Sequence, residues 1–438
     1  MHDADAINLA TLPPRQLKEF LTNTVRPDDG FIPAYIFSHP VIHQLEMEKI
    51  FMTQWLFLAH ESELPKVGDF VTRDLGGHSV IISRGQDNQV RIFLNMCRHR
   101  GMRLCRDDRG NEGAFHCPYH GFTYSNLGLL TGVPFQRDIY GDGFDKQNFG
   151  LIQAKVEIWA GLIFGTWSAN PPSVKEFLGP MAWYLDLVVN RAEMEVTGPP
   201  QRWVVNASWK LGADNFVHDS YHTMYTHASI AKLGMVPAAD YSKQGYQIDC
   251  GQGHGLNFGT PTPDFIFPQN LMDEYRSRLT SEQFSALSTM KNMIGTVFPN
   301  LSFLISATTF KGSRISNTTL RTWIPKGPGQ VEVLAWVLTE RNATPEWKEA
   351  SLQSSMFTFS PSGIFEQDDM ENFIDITANS RGALPLRDNI AFAYLAGLGR
   401  QPVEQFPWPG TAYDSKFLEH NARSFYRAWL KAVTSGGE

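Results

Sequence analysis

Cysteine is scarce in this chain. There are four in 438 residues: Cys97, Cys105, Cys117 and Cys250. A disulfide framework is excluded at that density, and a reducing cytoplasm is the expected compartment. Excess positive charge is also missing. The formal net charge of -7 gives no broad attraction to nucleic acid or to an anionic membrane. No apolar run reaches the roughly 18 residues that a membrane span needs. The opening "MHDADAINLATLPPRQ" lacks a basic n-region and an apolar h-region, so no signal peptide is expected. Repeats and low-complexity tracts are absent. What remains is apolar mass, 42% hydrophobic and 12% aromatic against 19% charged. That is enough for a large core, and the length predicts more than one domain.

The texture changes along the chain. Residues 39–55, "HPVIHQLEMEKIFMTQW", read as a helix with Val41, Leu45 and Phe51 on one face. From about Gly68, short β-rich runs such as "HSVIIS" and "QVRIFLNM" are broken by "RGQDN" and "DDRGNEGA", as in hairpins. "GLIFGTW" reads as a further strand, and "SANPPS" marks a break. Beyond it, "QVEVLAWVLTE" (330–340) reads as a strand. "SKFLEHNARSFYRAWLKAV" (415–433) reads as an amphipathic helix carrying Phe417, Phe425 and Trp429. The expected fold class is α+β, with an all-β module at 40–167 inserted in a larger domain formed by 1–39 and 168–438.

The β module contains "CRHRG" (97–101) and "CPYHG" (117–121). Cys97, His99, Cys117 and His120 form C-x-H-x17-C-x2-H. Two readings compete. Zinc sites usually leave two to four residues between paired ligands, so one spacer is tight for a single tetrahedral ion. In a Rieske [2Fe–2S] cluster, each loop gives its Cys to one iron and its His to the other, and one spacer fits. His116 falls outside the pattern and reads as a strand residue, and Cys105 as a buried or loop thiol. Arg98, Arg103, Arg106 and Arg109 gather near these loops. They read as solvated surface, or as a docking rim for an acidic electron donor.

A second constellation lies in "GADNFVHDSYHTMYTH" (212–227). His222 and His227 would diverge on an ideal helix, so they can share a metal only if the helix ends or bulges there. Downstream, "FSPSGIFEQDDMENF" (359–373) supplies carboxylates. Two His and one carboxylate make the facial triad of non-haem Fe(II) oxygenases.

Together these motifs resemble the large (α) subunit of Rieske non-haem iron ring-hydroxylating dioxygenases, from about residue 35 to near the C-terminus. One departure is Phe122, where the family often has Trp; an aromatic lid is expected there. The resemblance implies a catalytic domain of the helix-grip type, with an antiparallel sheet and helices. It names His222, His227 and Asp369 as iron ligands, with Asp368 and Glu366 as non-ligands. It places Asn215 near the iron, and Asp219 as the bridge between His222 and cluster ligand His120. His218 reads as a polar neighbour. It puts Phe216, Thr223, Met224, Phe359, Ile364 and Phe365 around an apolar slot. Lys311 and Arg314, which follow an expected strand of unknown facing, are candidate clamps for a carboxylate. The implied cofactors are a Rieske [2Fe–2S] cluster and mononuclear Fe(II). The implied partners are a small β subunit in an α3β3 assembly, and a ferredoxin or NADH-dependent reductase. The implied reaction is cis-dihydroxylation of an arene with O2, with a hydrocarbon favoured and bicyclic or larger ones among the candidates. An aromatic carboxylate substrate, or a monooxygenase or demethylase reaction, is the alternative.

Overall fold

The computed structural model describes residues 8–234, 245–260 and 266–435. Contacts divide the chain into a smaller unit, Phe51–Val174, and a larger one made of Met1–Ile50 and Lys175–Glu438. The sequence reading drew the smaller unit at 40–167.

The smaller unit holds a seven-stranded antiparallel sheet. The run "HSVIIS" becomes the strand His78–Arg84, paired with Asp69–Leu75 and Val90–Leu94. Val80, Ile81 and Ile82 are all fully buried, so both faces of this strand are covered. A three-stranded meander, Ala114–His116, Thr123–Ser125 and Leu130–Gly132, stands beside it. The two ligand loops share one hydrogen-bond pattern. Cys97 N–H donates to Met102 O, and Gly101 N–H returns to Cys97 O. Cys117 N–H donates to Phe122 O, and Gly121 N–H returns to Cys117 O. Both loops close on a left-handed residue, Gly101 at φ 75° and Gly121 at φ 73°. That conformation is why each motif ends in glycine.

The larger unit is built on a nine-stranded antiparallel sheet. Its centre is the meander Leu301–Phe310, Ser313–Gly327 and Gln330–Glu340, and the last of these matches the expected strand. The helix Trp209–His218 packs on the strands Asn292–Val297 and His254–Gly259 and on the helix His420–Thr434. Pro345–Phe359 packs on the sheet and against Ile364–Ser380. This is the expected α+β arrangement of an antiparallel sheet with helices.

Two helix expectations need correcting. The 39–55 helix is Pro40–Glu46 followed by a π-helical turn, Met47–Phe51. Phe51 is buried as expected, but the other buried residues are Ile42, Glu46 and Ile50 rather than Val41 and Leu45. Glu46 is drawn inward by three donors, Trp209 Nε1, Trp429 Nε1 and Lys210 Nζ. The C-terminal helix starts at His420, so Phe417 lies outside it, while Phe425 and Trp429 are fully buried.

Candidate metal centres

In the smaller unit the four motif residues form two like pairs. Cys97 and Cys117 are buried neighbours. Burial raises the Cys117 thiol, the backbone N–H groups of Tyr119 and His120 pull it down, and Cys97 raises it again. The rings of His99 and His120 lie 4.6 Å apart. Sulfur beside sulfur and imidazole beside imidazole is the division a Rieske cluster requires. His99 Nδ1 is buried and has no hydrogen-bond partner, as a ligand nitrogen would be without its metal. Phe122, the expected aromatic lid, stacks on His99 at 4.8 Å and 10°. His116 is exposed at the end of a strand and touches Thr123. Cys105 is buried, and burial pushes its thiol up to about 12. Arg103, Arg106 and Arg109 are exposed, whereas Arg98 is partly buried and donates to Gly150 O.

In the larger unit the helix Trp209–His218 stops at Asp219. A 3-10 turn, His222–Met224, follows, and the next helix begins at Ala228. That interruption brings His222 and His227 together, as their spacing demanded. Their Nε2 atoms are 3.2 Å apart. Asp369, on the helix Ile364–Ser380, places Oδ1 3.3 Å from His222 Nε2 and 3.2 Å from His227 Nε2. The three side chains can hold one metal ion, with all ligand atoms within 4.8 Å of one another. Two imidazoles and one carboxylate suit non-haem iron.

Behind each imidazole stands a second carboxylate. Asp219 Oδ2 is 3.3 Å from His222 Nδ1, and its Oδ1 accepts from His222 N–H at 3.0 Å. Asp368 Oδ2 is 3.1 Å from His227 Nδ1. Each ring is therefore turned to present Nε2 inward. Asp368 is expected only as a non-ligand, and no spacing or motif points to this contact. Asn215 Nδ2 lies 3.4 Å from His222 Nδ1. Burial works to lower His222, but Asp369 and Asp219 outweigh it and hold it well above its ordinary value. Burial raises Asp219, yet His222 and His218 bring it down to about 2. The site thus favours a positive occupant between the imidazoles and Asp369.

A cavity of about 160 Å³ opens on this triad. Phe216, Thr223, Phe359 and Phe365 line it as expected, while Met224 and Ile364 are not among its lining residues. Phe359 and Phe365 stack at 5.1 Å, and Phe365 meets His227 edge-on at 4.9 Å. The apolar slot also has a polar share that was not foreseen: Asn257, Asn292, Ser306, Thr308 and Lys291. Arg314 reaches the lining, but Lys311 instead donates to Gln353. Arg321 and Glu366 form a buried pair at 2.6 Å in the wall, with the guanidinium 4.5 Å from the Phe216 ring.

Donor sets and cavity together define a Rieske non-haem iron oxygenase. Residues 54–147 match the model of the Rieske [2Fe-2S] domain, and residues 181–435 that of the ring hydroxylating alpha subunit (catalytic domain). The chain belongs to that ring-hydroxylating α-subunit family, whose members bind a [2Fe–2S] cluster in the first domain and mononuclear iron in the second. It is 33% identical to the biphenyl dioxygenase subunit alpha of Metapseudomonas furukawaii, over 95% of this chain and 93% of the relative. It is 32% identical to the N,N-dimethyl phenylurea N-demethylase subunit alpha of a Sphingobium strain, over 93% and 92% of the two chains. A crystal structure of naphthalene 1,2-dioxygenase from Rhodococcus sp., bound to indole, superposes with a TM-score of 0.92 at 38% identity, over 97% of this chain and 99% of that one.

Proposed function

We propose that the chain is the α subunit of a terminal oxygenase that cis-dihydroxylates an aromatic hydrocarbon. The observation that carries this is the aromatic-walled cavity that opens directly on the triad. About 10–15 Å³ of such space admits one water, so this cavity has room for an arene of two rings. In this reading His222, His227 and Asp369 hold the iron, and Cys97, His99, Cys117 and His120 hold the cluster. The iron would supply O2 activation and the cluster would supply electrons.

The rest is done by side chains. Phe216, Phe359 and Phe365 bind the arene by its faces and exclude water. Asp219 and Asp368 fix the two imidazoles. By the resemblance, Asp219 also accepts from His120 of a neighbouring copy in a trimer. Asp219 is half-buried and His120 is exposed, so neither is sealed from such a contact. A small β subunit and an NADH-dependent reductase, with or without a ferredoxin, complete the system.

Turnover of naphthalene and biphenyl under 18O2 tests this reading. The expected product carries two labelled oxygens on adjacent ring carbons. The N-demethylase among the relatives supports a second reading, and a product with a single labelled oxygen would put a monooxygenase in place of the dioxygenase. Phe359→Val is expected to change the ratio of ring positions oxidised more than total turnover, because Phe359 shapes the cavity wall and holds no metal. Unchanged product ratios across the arene panel would remove Phe359 from substrate positioning.

A further inference from the structure

His218 and Asp214 belong neither to the metal-binding group nor to the cavity lining, yet both are buried. His218 is the last residue of the helix that ends at Asp219. Its Nδ1 lies 2.9 Å from Asp214 O and 3.0 Å from Asp214 Oδ1, so one N–H faces both oxygens. Asp214 Oδ2 accepts from Tyr394 Oη at 2.7 Å and from Tyr426 Oη at 3.0 Å. The His218 carbonyl accepts from Asn257 Nδ2 at 2.6 Å and from Gln247 Nε2 at 3.3 Å. The residue is thus pinned at ring and backbone by its own helix, by two strands and, through Asp214, by Tyr394 and the C-terminal helix.

We infer that His218 is a positioning residue for Asp219, a buried cation that Asp214 holds at the helix end from which the Asp219 carboxylate reaches His222. This rests on the reading that Asp219 links the cluster to the iron. Three arguments support it. A cation at a helix C-terminus is favoured by the helix dipole. A buried carboxylate that accepts from two phenols through one oxygen, with an imidazole nitrogen 3.0 Å from the other, is compensated best by a nearby positive charge. The charges that act on His218 are Asp214 on its own helix, Asp219 next in the chain and Glu419 before the C-terminal helix; the tyrosines are neutral, because burial holds both well above their ordinary values. Burial works to lower His218, but these carboxylates outweigh it and raise it to about 9.

The sign of the pH dependence follows. The folded value of His218 lies above the unfolded value of about 6.5. Its contribution to stability is therefore complete below about pH 6.5 and lost as pH rises through about 9. In thermal melts of the metal-free chain, His218→Asn should melt below wild type by a gap that is widest near pH 6 and closes by about pH 9. In the loaded enzyme, the reduced cluster gives up one electron per transfer, with O2 as the oxidant. The rate of cluster re-oxidation, read with naphthalene as probe, should fall at least about 10-fold in His218→Asn, as for loss of other groups that orient metal ligands. Iron content and the KM for naphthalene should not change. His218→Lys, which restores the cation, should recover part of the rate. The wild-type rate should itself decline as pH rises through about 9, and the low rate of His218→Asn should be flat there.

Full-rate His218→Asn with an unaltered pH profile would overturn the inference. If that variant fails to fold, a wild-type rate without a limb near pH 9 would overturn it as well. Asp219→Asn separates the two readings. If it transfers electrons at the wild-type rate, the role of Asp219 falls; if it is silent while His218→Asn is not impaired, only the role of His218 falls.

Discussion

Asp369→Ala is expected to empty the mononuclear site and abolish turnover, while the visible spectrum of the cluster stays as in wild type. Among the described residues, Asp369 Oδ1 is the one carboxylate oxygen within 3.3 Å of both Nε2 atoms. It is buried and makes no conventional hydrogen bond, so its surroundings supply no other purpose for it. Asp368→Ala is expected to cost less, roughly 10–100-fold in iron affinity or activity, because that side chain acts through His227 Nδ1. His222→Ala and His227→Ala should behave like Asp369→Ala. Iron counts decide the matter. An intact protein carries three irons, two in the cluster and one at the triad, and the ligand variants should carry two. If Asp368→Ala loses the third iron and Asp369→Ala keeps it, ligand and support have exchanged places.

The difference between these adjacent aspartates shows where the sequence runs out. Spacing brought both residues into consideration, and only the family resemblance chose between them. On a helix, neighbours point about 100° apart, so one register step moves a carboxylate from the metal to the back of a ligand. The histidine pair was more legible, because His-x4-His on one metal requires a broken helix, and the break is there at Asp219. The cluster loops were the most legible of all. Their ligands and glycines lie within five residues each and their turn hydrogen bonds within six, so each loop is legible locally.

The polar side of the cavity was illegible for a related reason. Leu304, Ser306 and Thr308 lie at alternate positions of one strand, and Asn292 and Ile294 at alternate positions of another. Ala307, between Ser306 and Thr308, also reaches the lining, but period-two facing sets most of it, and that facing can be read only once the strand and its inner face are known. The strand Gln330–Glu340 was recognisable from its β-branched run. The 292–310 stretch mixes Ser, Thr, Gly and Asn and gave no such signal. The resemblance puts Met224 and Ile364 near the iron as well, but they adjoin lining residues without lining the cavity themselves.

Glu46→Ala is expected to destabilise the chain by about 3–5 kcal/mol, the cost of breaking a buried ion pair by removing one partner. Glu46 is 1% exposed and Lys210 likewise 1%. The ammonium lies in an aromatic box, 5.4 Å from the Trp209 ring, 5.9 Å from that of Trp429 and 5.8 Å from that of Phe37. Without Glu46 its charge has no compensation, and two indole N–H groups lose their acceptor. Glu46→Gln removes the charge and keeps one oxygen acceptor; the two indoles bond to different carboxylate oxygens, so one of them then faces the amide NH2. Burial already lowers Lys210, with Glu46 opposing it. In Glu46→Gln the folded protein should therefore release that proton more readily than the unfolded chain does. Where the unfolded state binds more protons, stability rises with pH. The deficit of Glu46→Gln relative to wild type should thus shrink between pH 7 and about pH 10, where a free lysine also begins to titrate. Adding Lys210→Met should recover most of the loss at pH 7, because an apolar stem then fills the aromatic box with no charge to compensate. Denaturant melts at the two pH values test both statements. A deficit that stays constant with pH would mean that the indole hydrogen bonds, rather than the lysine, are what Glu46 is buried to satisfy.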